Sequence, residues 1–343
     1  MPSFNFTGVI ARKSNNPDIE LPIKAINKMS EAVLCDDNYY NVSELFLTCP
    51  KDLLLCLLLP VFSLNRFDYE DFKFTSEDKR FNIEVISNEK FGRATMYDKS
   101  YLLYAIGIVQ EMLNAKIIDR KAVNRTLHID VNKMLVDIKR SGDSEVTSNS
   151  DAWNKLNDAG NRLMSTLVTM KVDYGKRKRS AEKTTFINYF KLEQDGDQIV
   201  LKMRLSEWVW DAIMKERPAD ILSLDTEYWE MAPFKRRVYE IFRVNMGNRN
   251  SSGNQVHDIE KWKYSEFQKL CGKKTDKNFK KNLEKLFEYH DINRDECNSE
   301  FKKAKKRSGL PQAWGTFGIW VVGFYPDKLV VMRKDLLKIP HKN

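Results

Sequence analysis

Four residues between positions 277 and 289 point at one chemistry. Lys277, Asn278, Lys281 and Lys285 fall at helical spacing on one side, and Phe279, Leu283, Leu286 and Phe287 fall on the other. An ammonium neutralises a phosphate or donates to a guanine edge, and a side-chain amide can read adenine. A helix with that face suits a major groove, while its apolar stripe ties it to a core. The same pattern is also the ordinary makeup of a solvated surface helix, so the reading rests on its surroundings. A short helix over 265–270 stops at Gly272, and Lys273-Lys274-Thr275-Asp276 leads into the lysine face, which is a helix–turn–helix order. A second, differently worded arrangement lies at 152–169. There Asn154, Lys155, Asn161 and Arg162 oppose Trp153, Leu156, Gly160, Leu163, Met164 and Leu167. Amides and hydroxyls dominate that polar face, which suits geometry and base contacts more than charge. Lys176-Arg177-Lys178-Arg179 adds a basic run suited to sequence-independent attraction to a phosphate backbone.

Other chemistries lack their parts. Gly272-Lys273-Lys274-Thr275 resembles the end of a phosphate loop, but the first glycine of that motif falls at 267, where Phe267 stands. His128, His257, His290 and His341 lie far apart, without the short spacings of a metal site. Tyr289-His290-Asp291 follows a helix, where a histidine serves the helix dipole more readily than acid–base catalysis. No glycine-framed serine forms a hydrolase elbow. The expectation is a protein that is not an enzyme and uses neither cofactor nor metal.

Composition agrees with a nucleic-acid partner. The net charge is +9 over 343 residues, with a pI near 9.1, and that length accommodates two domains of ordinary size. The longest apolar run, 53–62, contains Pro60 and is half of what a bilayer crossing requires, so it is expected to be buried in protein. Met1-Pro2-Ser3-Phe4 lacks a basic start before an apolar stretch, and no secretory signal is expected. Five scattered cysteines form no C-x-x-C pair. A cytoplasmic location without membrane contact is expected.

The elements that must position these residues follow from periodicity and punctuation. Residues 1–60 are polar and unassigned, apart from a helix suggested at 23–34. A strand at 81–86 precedes a helix at 99–113 that Asp98 is placed to cap, with Leu102, Leu103, Ile106, Val109 and Leu113 as its buried stripe. A strand over 125–129 leads to Asp130, a cap for a helix at 131–138. After the polar loop 141–149 comes the 152–169 helix, then strands 185–192 and 199–204 joined through Asp195-Gly196, a hairpin turn signal. A helix at 207–215 ends at Arg217-Pro218, taken as a domain boundary. The pattern restarts with a long helix at 228–244, the 265–289 helix pair and a hairpin of 319–324 with 329–332 around Pro326-Asp327. Helix, strand, helix, helix, hairpin is the order of a winged helix. The fold class expected is α+β, with winged-helix domains at 61–217 and 218–343 in tandem.

Phe91-Gly92-Arg93-Ala94-Thr95-Met96-Tyr97-Asp98-Lys99-Ser100-Tyr101-Leu102-Leu103-Tyr104 resembles the signature of the plasmid replication initiator protein A family. Leu224-Asp225-Thr226-Glu227-Tyr228-Trp229 and Lys235-Arg236-Arg237-Val238-Tyr239-Glu240-Ile241 resemble the start of that family's second winged helix. The resemblance covers roughly 60–290 and the last hairpin; 1–60 and 294–317 have no counterpart. It implies a non-enzymatic initiator that binds repeated double-stranded sites in a plasmid origin, opens adjacent AT-rich DNA and brings in host helicase and host initiator. It also implies a monomer–dimer equilibrium, with dimers repressing their own promoter. Two such units on one chain can occupy successive major grooves, about 10 base pairs apart. Two alternatives stay open: a tandem winged-helix transcriptional regulator with no initiation role, and a winged-helix scaffold docking acidic proteins.

Overall fold

A computed structural model describes residues 39–42, 45, 47, 49–53, 56–57, 59–75, 81–138, 150–173, 179–196, 198–214, 221–246, 259–272, 278–287 and 313–333. The expected helix at 23–34, the loop 141–149, Arg217-Pro218 and Tyr289-His290-Asp291 lie outside these. Among the described residues no helix is long and apolar enough to cross a membrane. The fold is α+β, with seven α-helices and fourteen strands among the described residues. The chain forms two compact units that divide at Arg236/Arg237, later than the 217/218 boundary expected from proline. The physical reason is a strand pair: β10 (Ile221–Ser223) runs antiparallel to β2 (Lys51–Leu53), and Leu224 N–H donates to the Pro50 carbonyl.

The first unit follows the helix–strand–helix–helix–hairpin order. α1 (Lys99–Asn114), β5 (Thr126–Asp130), α2 (Val131–Asp137) and α3 (Ser150–Ser165) precede the hairpin of β8 (Ile187–Asp195) and β9 (Gln198–Leu205). Their sheet has the order β1-β5-β9-β8, with β1 (Tyr40–Asn41) parallel to β5 and the other pairs antiparallel. Gly196, at φ +59, takes the left-handed turn position. α4 (Glu207–Met214) closes the sequence. Asp130 caps α2 as expected: its backbone is extended and its carboxylate accepts from Lys133 N–H at 2.9 Å.

Asp98 works differently from the expectation. Its backbone is helical and caps nothing by its own side chain. The cap is Thr95, whose hydroxyl accepts from Asp98 N–H, while the Asp98 carboxylate accepts from Thr95 N–H at 2.8 Å. That reciprocal pair is a capping box with Asp98 at its third position.

α1 is buried almost all round, including Lys99, Ser100 and Gln110, rather than along one stripe; Leu113 is only half-buried. Its cover comes from the stretch that the sequence left unassigned. Lys99 pairs with Asp52 at 2.6 Å, both fully buried, and Lys51 pairs with Glu111 at 2.7 Å. Leu53, Cys56, Leu57, Leu59, Val61 and Phe62 are buried, as expected for the apolar run.

The helix expected to run to 169 ends at Ser165. Thr166, Val168, Thr169 and Val172 are β-branched and disfavour helix. The last three lie in β6 (Leu167–Asp173), which pairs with β7 (Arg179–Thr184). This inserted hairpin joins β3 (Phe72–Thr75) and β4 (Phe81–Ile86) in a second sheet of order β3-β4-β6-β7.

The helix expected over 228–244 is broken. Thr226–Glu230 is a 3₁₀ turn, and α5 (Pro233–Asn245) starts afresh at a proline that cannot sit inside a helix. Arg236 ties the 3₁₀ turn to the start of α1, donating to Trp229 and Met96 carbonyls and to Ser100 Oγ at 2.6, 3.2 and 2.7 Å.

The second unit starts within α5 and contains β11 (Ile259–Lys263), α6 (Tyr264–Leu270), α7 (Phe279–Glu284), β12 (Ala313–Phe317), β13 (Trp320–Phe324) and β14 (Lys328–Arg333). The antiparallel sheet runs β11-β14-β13-β12. Sequence reading missed β11 and β12; β11 buries only Trp262, so its alternation is weak. Phe242 anchors the core, with ring centroids of Trp262, Phe267, Phe287, Phe317 and Trp320 between 5.6 and 6.4 Å away. A buried aromatic of this kind contributes about 1.5–3 kcal/mol by transfer alone.

Candidate nucleic-acid interface

α7 carries the opposed faces read from the sequence. Phe279, Leu283 and Phe287 are buried, whereas Asn278, Lys281 and Lys285 are exposed. The helix is shorter than 277–289: it ends at Glu284, and Lys285 to Phe287 continue as turns, with Leu286 N–H on the Leu283 carbonyl and Phe287 N–H on that of Glu284. Neither Lys281 nor Lys285 has an ion-pair partner among the described residues. Lys280, one position away, is committed to the protein. Its ammonium donates to the Tyr325 carbonyl at 3.2 Å and lies over the Tyr264 ring.

The end of α6 is held by its own backbone and by a side chain of α5. Cys271 N–H and Gly272 N–H close α6 on the Phe267 and Lys269 carbonyls, and Gly272 has φ +71, where a side chain would be strained. Arg237, buried on α5, donates through Nε and Nη2 to the Leu270 carbonyl at 2.9 and 2.8 Å and pairs with the buried Glu240 at 3.0 Å. This guanidinium fixes the end of α6, from which the chain departs toward α7. Glu240 stands one turn on in the same helix, but the Leu270 carbonyl that sets Arg237 apart from its basic neighbours belongs to another helix and leaves no mark in the local sequence. Lys273, Lys274 and Lys277 lie outside the described residues.

In the first unit α3 buries Leu156, Ala159, Gly160 and Leu163 and exposes Asn154 and Lys155. Gly160 is there for contact: a Cβ at this position would lie 2.3 Å from the Phe190 ring on β8. Asn161 is half-buried. Arg162, read from the sequence as a nucleic-acid contact, is bonded to Asp98, with Nε and Nη2 each 2.8 Å from a carboxylate oxygen. Burial disfavours the charge on Arg162, but the Asp98 hydrogen bonds and charge raise its pKa above the ordinary value. Asp98 thus joins the capping box of α1 to α3 through Arg162.

Arg179 opens β7 opposite Asp173; Lys176, Arg177 and Lys178 stand in the connection before it, outside the described residues. Two further cations, Lys171 on β6 and Lys183 on β7, are exposed. Sequence reading passed over them because their strands were not recognised. Among the described residues no group of three or more His, Cys, Asp and Glu side chains is placed to hold a metal ion.

The comparisons with known proteins bear on the fold and the family. The model of the replication initiator protein A family matches residues 51–293. A crystal structure of selenomethionine derivatives of domains 2 and 3 of RctB is similar at a TM-score of 0.51 and 10% identity, covering 80% of this chain and 94% of that one. A second structure of RctB domains 2–3 gives 0.49 and 10%, covering 82% and 98%. No curated protein matches this chain. At that identity the likeness to RctB is one of fold.

Proposed function

The chain belongs to the replication initiator protein A family, and on that premise we propose a non-enzymatic initiator whose two units are winged helices that bind repeated double-stranded sites in a plasmid origin. Binding there opens adjacent AT-rich DNA and brings in host helicase and host initiator. The site of action is the cytoplasm, and the chain interconverts between monomer and dimer. The observation that carries the reading is the α6–Gly272–α7 pair, with Phe279 and Leu283 sealed in the core and Asn278, Lys281 and Lys285 presented outward. Element order supports it twice over. Helix, strand, helix, helix and hairpin recur as α1-β5-α2-α3-β8-β9, with β6–β7 inserted after α3, and α5-β11-α6-α7-β13-β14, with β12 before β13, and in each the first of these strands pairs with the last. In such a module the third helix enters the major groove. Lys281 and Lys285 then meet phosphates or guanine edges and Asn278 an adenine, while α3 offers Asn154 and Lys155.

The test is footprinting of purified protein on DNA flanking its own gene, across a salt series. Repeated protected sites beside an AT-rich tract, with affinity falling steeply in salt, are expected. A single inverted site at a promoter would support a regulator instead, and salt-insensitive or absent duplex binding would support a protein scaffold. Incubation with supercoiled origin plasmid, Mg²⁺ and ATP should produce neither nicking nor hydrolysis.

A further inference from the structure

Two hairpins follow α3 in the first unit, and their charges are opposite. The β8–β9 hairpin, in the position of a wing, turns at Gly196, and the sequence there reads Glu193-Gln194-Asp195-Gly196-Asp197. The cations near that turn are already engaged, because Lys191 and Lys202 lie 2.7 and 2.5 Å from the Glu193 carboxylate. Hydrogen bonds from Lys191, then Lys202, hold that carboxyl at about 2, so it stays charged at any working pH. With those two lysines spent on Glu193, the sequence of the turn offers Asp195 and Asp197 and no cation, a composition that repels a phosphate backbone.

The inserted β6–β7 hairpin differs. Its register pairs Thr169 with Lys183, Lys171 with Ala181 and Asp173 with Arg179. Side chains alternate along a strand, so Lys171 and Lys183 share one face, opposite to that of Val168. Both are exposed, and neither has an ion-pair partner among the described residues. Glu84, opposite Thr169 and within electrostatic range of Lys171, is hydrogen-bonded by Lys73 at 2.5 Å, and Asp173, two residues beyond Lys171, stands opposite Arg179 in register. β6 is an inner strand between β4 and β7, and Thr166, which links it to α3, accepts from Ala94 N–H at 2.7 Å through its hydroxyl. The hairpin is therefore fixed relative to the end of α3.

We propose that in the first unit the phosphate backbone of duplex DNA is held by the Lys171 and Lys183 face of β6–β7, while the β8–β9 hairpin stays off the DNA. This rests on the DNA-binding reading above. Reach supports it. Lys171 stands four residues beyond the start of β6, roughly 13 Å along a strand, and a major groove is about 12 Å wide. Phosphates bordering a groove occupied by α3 are thus within range of both ammonium groups. The contact is sequence-independent, since an ammonium on a strand face meets backbone oxygens and no base edge.

The experiment measures binding of the full-length chain to a footprinted site and to a random duplex of equal length, by fluorescence anisotropy in 50–200 mM KCl. Lys171→Gln with Lys183→Gln should lower the salt slope by about 1.8 on both duplexes, about 0.9 per lost phosphate contact. The gap in affinity to the unaltered chain then narrows about 12-fold across that range. Lys171→Arg with Lys183→Arg should keep the slope, and Asp195→Asn with Asp197→Asn should change affinity less than twofold. An unchanged slope in the glutamine variant, or a rise of tenfold in the asparagine variant, overturns the assignment. If the unaltered chain binds no duplex, the DNA-binding reading itself falls and takes this inference with it.

Discussion

Arg162 separates two accounts of the first unit by measurement. Read from the sequence, it is a cation on a groove-facing helix; in the structure it is the partner of a buried carboxylate. The Asp98 side chain is only 3% exposed, so Arg162→Met leaves a desolvated charge without its counter-ion. Loss of one member of a buried pair costs about 3–5 kcal/mol. Asp98 keeps its hydrogen bonds from Thr95 N–H and Oγ1, which places the expected cost near the lower limit, about 3 kcal/mol. In urea, with a slope of about 1–3 kcal/mol/M, that moves the midpoint of the first unit down by about 1 M or more. Asp98→Asn should recover part of the loss in the Arg162→Met background, because the stranded charge is gone; the two losses should fall short of additive by about 0.5–3 kcal/mol. DNA binding gives the second readout. At a temperature where the variant is folded, its salt slope should match that of the unaltered chain. A variant of unchanged stability whose slope drops by about 0.9 would restore Arg162 to the phosphate contacts and refute the structural argument.

Lys281→Ala with Lys285→Ala should leave stability within about 0.5 kcal/mol, as both are exposed, while reducing specific-site affinity in anisotropy titrations; unaltered affinity at moderate salt would place α7 outside the interface. Gly160→Ala drives a methyl into the Phe190 ring, so overpacking of about 1–3 kcal/mol should outweigh the helix gain of about 1 kcal/mol. On a Phe190→Leu background the same change should become neutral or stabilising, and equal effects on both backgrounds in urea would contradict the packing account. His128 stacks on Tyr39, and burial, with Lys202 assisting and Glu193 opposing, lowers its pKa from 6.5 to about 4. The unfolded imidazole takes up its proton at the higher pH, so stability is full above about 6.5 and declines as pH falls toward about 4. His128→Gln should remove that component of the pH dependence, and an identical decline in the variant would show that it arises elsewhere.

Features that depend on a few neighbouring residues were open to sequence reading. Asp130 caps α2 because a short carboxylate reaches the N–H three residues on. Gly196 and Gly272 occupy left-handed positions that glycine alone takes without strain. The stripe of Phe279 and Leu283 marks the buried side of α7, and with it the outward side of Lys281 and Lys285. Period and punctuation likewise revealed most helices and the hairpins 187–205 and 320–333, but not β6, β7, β11 or β12. What tertiary structure decided depends on partners far along the chain. Arg162 is basic and lies on the polar side of its helix, and only the fold brings Asp98, 64 positions away, against it. The 166–169 stretch continues an apolar periodicity that passes for helix, and β4 supplies the ladder that makes 167–169 part of a strand. Residues 51–62 gave a buried run without a destination, which α1 provides through Lys99 and Asp52. Local conformational preference is written residue by residue, whereas a charge's role follows from what burial places beside it. The same lysine or arginine therefore reads identically in sequence whether it meets a carboxylate, a carbonyl or solvent.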